Sequence, residues 1–372
     1  MSSLGATLNL HSAFDNNTSV IIPSDQAHLA AIWSFCSSPQ FSTEIRKIDQ
    51  KLNVTNATLV KVPFDLAHWQ KVAVEQYPNG LPLPYSDDPT QWLFHGHPEP
   101  SATPLQVALA RLLGYRWPAE TDANMELAPE AHAHIAAIQA HDHLTDQDGI
   151  LCLPAVNGEL AAADALRRYL QAVYGAAYTP HTLDELLRRE SSTQSSLDGW
   201  LREEFFGAHC KQFQQRPFLW HIWDGRKDGF AAVVNYHKLT KATLSRLIYN
   251  YLADYLRQVE QQVKREESGA EGRLIAARAL DTKLKAIYEG EKPHDVFVRW
   301  KPLARQPLGW DPDLNDGVRL NIRPFMTAEV LRRRTAIKWG VDRGKNPPNT
   351  PWGIIRDNDQ HLNLEEKRAA HV

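Results

Sequence analysis

Six histidines crowd one stretch of the chain: His95 and His97, then His132 with His134, then His141 with His143. Imidazole is the commonest metal ligand in proteins, and a zinc site would need three or four donors converging from usable offsets. Members of an i, i+2 pair point to different faces of a helix, and the surrounding EAHAHIAAIQAHDHL has helical periodicity with no cysteine inside it. The expectation is therefore a solvated helix face and no bound metal. The three cysteines, Cys36, Cys152 and Cys210, lie far apart and form no C-x-x-C pair. That argues against a disulfide framework and fits a reducing cytoplasm.

A second chemistry is written in RPFLWHIWDGRKDGFAAVVNYHK, which sets Trp220, Trp223 and Phe230 among Arg216, Arg226, Lys227 and His237. Aromatic faces stack on nucleobases and cations neutralise phosphates, so this interleaving suits a nucleic acid. The competing reading is a hairpin whose aromatics face a core and whose DGRKDG turn is merely solvated, and composition alone favours it. Downstream, KPLARQPLGWDPDLNDGVRLNIRPF carries Lys301, Arg319, Asn321 and Arg323 on what reads as an extended stretch, where alternate residues share a face. Upstream, Lys51, Asn53, Thr55, Asn56 and Lys61 form a shorter polar set. Asn can pair bidentately with adenine and Arg with guanine or phosphate, although Asn and Thr serve turns and caps equally well. No G-x-G-x-x-G, P-loop or G-x-S-x-G occurs, so nucleotide cradling and serine-hydrolase chemistry have no motif. Nor do clustered carboxylates with a matching base point to a hydrolase or nuclease.

The elements that must position these residues follow from composition and periodicity. With 372 residues, 43% hydrophobic and 23% charged, the chain has material for two or three packed domains. A net charge of −3 excludes a general polyanion binder, so any nucleic-acid contact must come from local patches. No basic leader followed by an apolar run opens the chain, and no apolar stretch is long enough to span a membrane, which predicts a soluble cytoplasmic protein. Residues 25–50 read as two helices broken at Ser37-Ser38-Pro39; Lys51 to Asp65 reads as a strand closed by Pro63, and FDLAHWQKVAVEQY as a helix. Prolines confine the segment from Leu81 to Glu126 to turns and short helices, a natural boundary. GILCLP predicts a short strand, the amphipathic run after it a helix ending at Gly175, and the aromatic segment a hairpin. Thr240 to Glu289 predicts an antiparallel helical hairpin broken at SGAEG. Tyr85 to Gly149 holds ten acids and two bases, Arg299 to Lys345 eleven bases and five acids, so the two regions should face different partners. The expected architecture is α+β, mixed helices with short sheets, in an N-terminal unit 1–140 and a C-terminal unit 141–372.

Four stretches resemble a known family: LAAIWSFCSSPQF with IDQKLNVTNATLVKVPFDLAHW; WLREEFFGAHCKQFQQRPFLWHIWDGRKDGFAAVVNYHKL; VFVRWKPLARQPLGWDPDLNDGVRLNIRPFM; and WGVDRGK with LNLEEKRAA. They are similar to adenine-specific DNA methyltransferases of the BREX and DISARM phage-defence systems and of single-chain restriction-modification enzymes, in the region after the catalytic domain. In that family the catalytic domain is Rossmann-like, binds S-adenosylmethionine and carries Asn-Pro-Pro-Tyr, and the following region supplies DNA target recognition. The nearest counterpart here, Asn346-Pro347-Pro348-Asn349, lacks the aromatic and has no glycine-rich loop upstream, so it reads as a surface turn. The resemblance thus implies a chain without the Rossmann-like core, without catalytic residues or cofactor of its own, beginning after that domain ends. Its partners would be double-stranded DNA and a catalytic methyltransferase subunit holding S-adenosylmethionine. DNA contacts would fall on Lys51, Asn53, Thr55, Asn56, Lys61, Arg216, Trp220, Arg226, Lys227, His237, Arg319, Asn321 and Arg323. Half of a split enzyme and the remnant of a longer gene both fit. A scaffolding subunit binding other defence-system proteins through the helical hairpin and the acidic region is the alternative.

Overall fold

A computed structural model describes residues 6, 8, 18–51, 54–296, 298, 301–336 and 364–371. It divides into two compact units, residues 1–85 with 122–131, and residues 86–121 with 132–372.

The first unit is helical among its described residues. Helices α1 (Leu29–Cys36) and α2 (Pro39–Ile48) are separated at Ser37-Ser38, as the sequence predicts. Ser38 caps α2, its hydroxyl accepting from the Phe41 amide, and Pro39 takes the first helical position, where no amide donor is missed. The expected strand between Lys51 and Asp65 is not one: its described part holds α3 (Asn56–Leu59) and turns. Leu59, Val62 and Leu66 pack at helical spacing against the unit's core, and the Thr58 hydroxyl donates to Asp49 at 3.1 Å, so the segment buries one face without a strand partner. Then α4 (Leu66–Gln76), capped by Asp65, lays Trp69 against Phe35, Phe41 and Ile45.

The second unit is built on a three-stranded antiparallel sheet in the order β1-β3-β2. Its strands are β1 (Ile150–Cys152), β2 (Leu219–Trp223) and β3 (Ala231–Asn235), with Ile150 opposite Val234 and Leu219 opposite Asn235. Every residue of β1 and β3 is buried, which is why these strands read as apolar runs rather than alternating ones. The chain near Leu331 extends the sheet beyond β2: the Trp223 amide donates to the Val330 carbonyl at 2.9 Å and the Arg332 amide to the His221 carbonyl at 2.9 Å.

Around the sheet lie α5 (Pro104–Leu112), the single turn α6 (Pro118–Thr121), α7 (Pro129–Gln139, in this unit from His132 on), α8 (Ala162–Tyr174), α9 (Pro180–Arg189), α10 (Leu197–Glu203) and α11 (Phe205–Gln212). The predicted helical hairpin is present. One arm joins α12 (Lys241–Arg246) through a π-helical turn to α13 (Ala253–Lys264), and the other is α14 (Ala270–Glu289). Arg278 pairs with Glu260 at 2.9 Å and Arg273 donates to Gln262 at 3.1 Å, a register that requires antiparallel arms. The stretch around Arg319 and Arg323 is not extended but forms α15 (Val318–Thr327). Its buried residues Asn321 and Phe325, and Ile322 and Met326, recur at four-residue spacing, so the period is helical. The last described element is α16 (Leu364–Ala370). The fold is thus α+β, and no described helix is long and apolar enough to cross a membrane.

A buried relay ties α5, α11 and β2 together. His209 donates from Nδ1 to Gln106 Oε1 at 3.1 Å and accepts the Leu219 amide on Nε2 at 3.2 Å, which sets its neutral tautomer. Burial holds its pKa down at about 3; His221 lies at about 3 for the same reason, reinforced by Arg332 and Arg202. Burial and the neighbouring His134 likewise bring His95 to about 3 and His97 to about 4. Between about pH 6.5 and pH 4 the unfolded chain takes up protons on these histidines that the folded chain refuses. Their contribution to stability is complete above pH 6.5 and is lost as pH falls. Asp146 and Glu190, each pushed up to about 7 by burial, work in the opposite direction over part of that range. Replacing one histidine isolates its share: in urea unfolding at pH 7 and pH 5, His209→Gln is expected to lose less stability on acidification than the parent, and an equal loss would contradict this assignment.

Candidate nucleic-acid interface

The predicted aromatic and basic segment is a hairpin, but the structure distributes its residues over two places. Trp220 is fully buried, stacked on Tyr236 at 4.7 Å with its Nε1 donating to the Pro217 carbonyl at 3.0 Å. Phe230 is equally buried. Trp223 is half-buried under the Arg332 guanidinium, 4.1 Å from its ring centre. These aromatics serve the core. At the turn, both Asp224 carboxylate oxygens accept backbone amides, of Arg226 at 2.9 Å and Phe230 at 2.8 Å. Arg226 pairs with Asp228 at 2.9 Å, whereas Lys227, 79% exposed, reaches Glu203 only at 3.5 Å. Arg216 and His237 lie at the other, open end, about 17 Å away along strands of five residues.

The remaining predicted contacts scatter further. Lys51, Thr55, Asn56 and Lys61 are exposed in the first unit, and Asn53 lies outside the described residues. Asn321 is buried, its Nδ2 donating to the Tyr236 hydroxyl at 2.6 Å and the Asp313 carbonyl at 2.8 Å. Arg319 and Arg323 are half-buried and one helical turn apart, so they do share a face, a helical one. Lys301 is paired with Asp316 at 2.7 Å and Asp313 at 3.2 Å. Asn346-Pro347-Pro348-Asn349 falls outside the described residues. The histidine pairs are not simply a solvated face: His132 is exposed, but His134 packs on His95 at 4.6 Å and His97 at 5.2 Å between ring centres. Among the described residues no group of three or more His, Cys, Asp or Glu is arranged to hold a metal ion.

At the open end of the hairpin the structure brings together what the sequence kept apart. Trp92, Tyr115, Trp117, Phe213, Phe218 and His237 line a cleft of about 550 Å³ with Arg116 and Lys238. Tyr115 stacks on Phe218 at 4.1 Å with ring planes 24° apart, and Trp117 meets Tyr115 edge-on at 4.9 Å. Trp92 is 74% exposed. The Arg116 guanidinium is oriented by Asp142 at 2.7 Å and by the Tyr115 carbonyl at 2.8 Å. Lys238 donates to the carbonyls of Asp146 at 3.0 Å and Gln147 at 3.3 Å. Its place is kept by Gly114, where φ is +77° and any Cβ would collide with the lysine ammonium. Among the described residues no carboxylate lines this cleft. A second cavity, of about 700 Å³, is lined by Asp146, Asp148, Glu159, Arg246 and Tyr251. There Asp146 accepts the Gly149 amide at 2.7 Å, and Asp148 is held by Arg246 at 2.9 Å and Tyr251 at 3.0 Å, so those carboxylates brace the loop into β1.

Reading the hairpin alone missed Trp92, Tyr115, Arg116, Trp117 and Phe213, and within the hairpin segment Phe218 and Lys238 were passed over. Tyr115-Arg116-Trp117 repeats the same aromatic and basic interleaving inside the acidic stretch. That stretch is also partly self-neutralised. Arg111, fully buried, pairs with Glu120, donates to Asp142 at 2.8 Å and reaches the Tyr169 hydroxyl at 3.2 Å.

No protein-family model matches the chain. Two proteins are similar to part of it: the adenine-specific methyltransferase BrxX of Escherichia coli O9:H4 (strain HS), 25% identical over 199 residues, and the adenine-specific methyltransferase PglX of Lacticaseibacillus casei (strain Zhang), 26% identical over 166 residues. The matches cover 48% and 42% of this chain but only 16% and 13% of those proteins. Over less than half of its length the chain is thus distantly similar to adenine-specific methyltransferases, and it spans only a small part of theirs.

The Arg111 cluster makes a direct test possible. Arg111→Met leaves Glu120 buried without its cation and should cost about 3–5 kcal/mol in chemical unfolding. A cost below about 1 kcal/mol would show that the pair does not hold this wall of the cleft.

Proposed function

We propose that this chain is the DNA target-recognition, or specificity, part of an adenine-specific DNA methyltransferase in phage defence or restriction-modification. A separate catalytic subunit would supply methyl transfer and hold S-adenosylmethionine. The observation that carries this reading is the cleft: aromatic walls, oriented cations and no carboxylate among its described lining, within a chain of net negative charge. Such a lining suits nucleobases and phosphates and disfavours basic protein surfaces. The similarity to two adenine-specific methyltransferases supports the same direction. In the second unit the backbone contacts fall to the exposed Arg216, Lys227 and His237, with Arg226 next to Lys227 and with Arg319 and Arg323 on α15. Trp220 and Asn321 hold the surface from beneath. In the first unit Lys51, Thr55, Asn56 and Lys61 are available for the same work.

Phosphate contacts release counterions, so binding of a labelled duplex should weaken steeply between about 50 and 200 mM salt. Replacing Arg216 and Lys227 together by Ala should weaken it several-fold and flatten the log–log slope by about one for each phosphate that is no longer neutralised. Absence of duplex binding, or binding insensitive to salt, would overturn the reading and favour a scaffolding subunit of a defence complex.

A further inference from the structure

We propose that the cleft at the open end of the hairpin captures one unstacked nucleobase by its faces, with little regard for which base it is. This rests on the nucleic-acid reading of the chain but concerns a different task from reading a sequence.

The first argument is shape and chemistry. A volume of about 550 Å³ lies in the range of small-molecule sites, too small for a duplex groove and adequate for a nucleotide. Its apolar lining is aromatic rather than aliphatic. The Tyr115 and Phe218 rings are already parallel to within 24°, and a planar base can lengthen that stack. Trp92, 74% exposed at the same cleft, is the kind of large apolar surface that gains most from being covered by a second ring.

The second argument is charge. Arg116 and Lys238 are not floating surface cations, because Asp142 and the carbonyls of Tyr115, Asp146 and Gln147 orient them. No carboxylate among the described residues lines the cleft to repel a bound phosphate, although acids are abundant in the surrounding sequence. A phosphate attached to the captured base would meet the Arg116 and Lys238 cations rather than a lining carboxylate.

The third argument explains the indifference to base identity. The Asn235 amide, the natural group for reading a base edge, is already occupied: Nδ2 donates to the Leu113 carbonyl at 3.0 Å and Oδ1 accepts the His237 amide at 3.0 Å. Gln91 and Thr90 are turned toward Asp88. Stacking then dominates, and every base has a π-face.

The test compares two duplexes carrying 2-aminopurine, one fully paired and one with the 2-aminopurine opposite an abasic site, together with free dAMP. The full chain should bind the unpaired probe several-fold more tightly than the paired one and quench its fluorescence by stacking. Trp92→Ala, at an exposed position outside the core, should remove about tenfold of affinity for the unpaired probe, a clearly larger loss than for the paired duplex. Equal affinity for both duplexes with no effect of Trp92→Ala overturns this inference and leaves the target-recognition reading standing. Failure to bind either duplex overturns that reading, and dAMP binding weakened by Trp92→Ala would then still support the cleft as a nucleobase site.

Discussion

The buried Arg111 guanidinium is the constraint on which the second unit turns. An ion fully removed from water is tolerable only when its donors are met, and here Glu120, Asp142 and Tyr169 meet them. These partners belong to three different segments, so one side chain on α5 draws together α6, the turn after α7 and α8. The consequence reaches the cleft. Glu120 also accepts the Trp117 amide at 2.9 Å, and Asp142 also holds Arg116 at 2.7 Å. The aromatic and cationic wall formed by residues 115–117 is therefore positioned by an internal electrostatic network rather than by packing alone.

The opposite wall comes from the sheet. β2 and β3 are buried nearly throughout, so the functional groups of the hairpin can emerge only at its two ends. The turn end carries Arg226, paired with Asp228, and the exposed and only loosely paired Lys227. The open end delivers Phe218 and His237 to the cleft, while the His209 relay fixes α11, and with it Phe213, against the first residue of β2. Sheet burial and buried polar satisfaction together decide which aromatics are structural and which remain accessible.

Much of the architecture was legible in the sequence. The hairpin, the helical hairpin, α8 with its stop at Gly175 and the paired helices α1 and α2 all announce themselves by periodicity and breakers, which are local signals. Two segments misled for a common reason. Lys51 to Asp65 and the stretch around Arg319 are rich in Val, Thr, Asn or Pro, yet each buries residues at helical spacing, and tertiary packing overrode propensity. The cleft was the least legible feature. It gathers residues near 92, 116, 213, 218 and 238, whose convergence no local pattern encodes, and the buried state of Trp220 and Asn321 could not be told from composition. Similarity to adenine-specific methyltransferases, in contrast, is carried by long stretches of sequence and needs no knowledge of the fold.

We propose that this chain directs methylation that a separate subunit performs. The most direct test of that proposal is adenine methylation of plasmid DNA in the presence of S-adenosylmethionine, comparing the chain alone, a candidate catalytic methyltransferase subunit alone, and the two mixed. Site-specific methylation in the mixture only is the predicted result. Methylation by this chain alone, or equal and equally specific methylation by the catalytic subunit without it, would contradict the account.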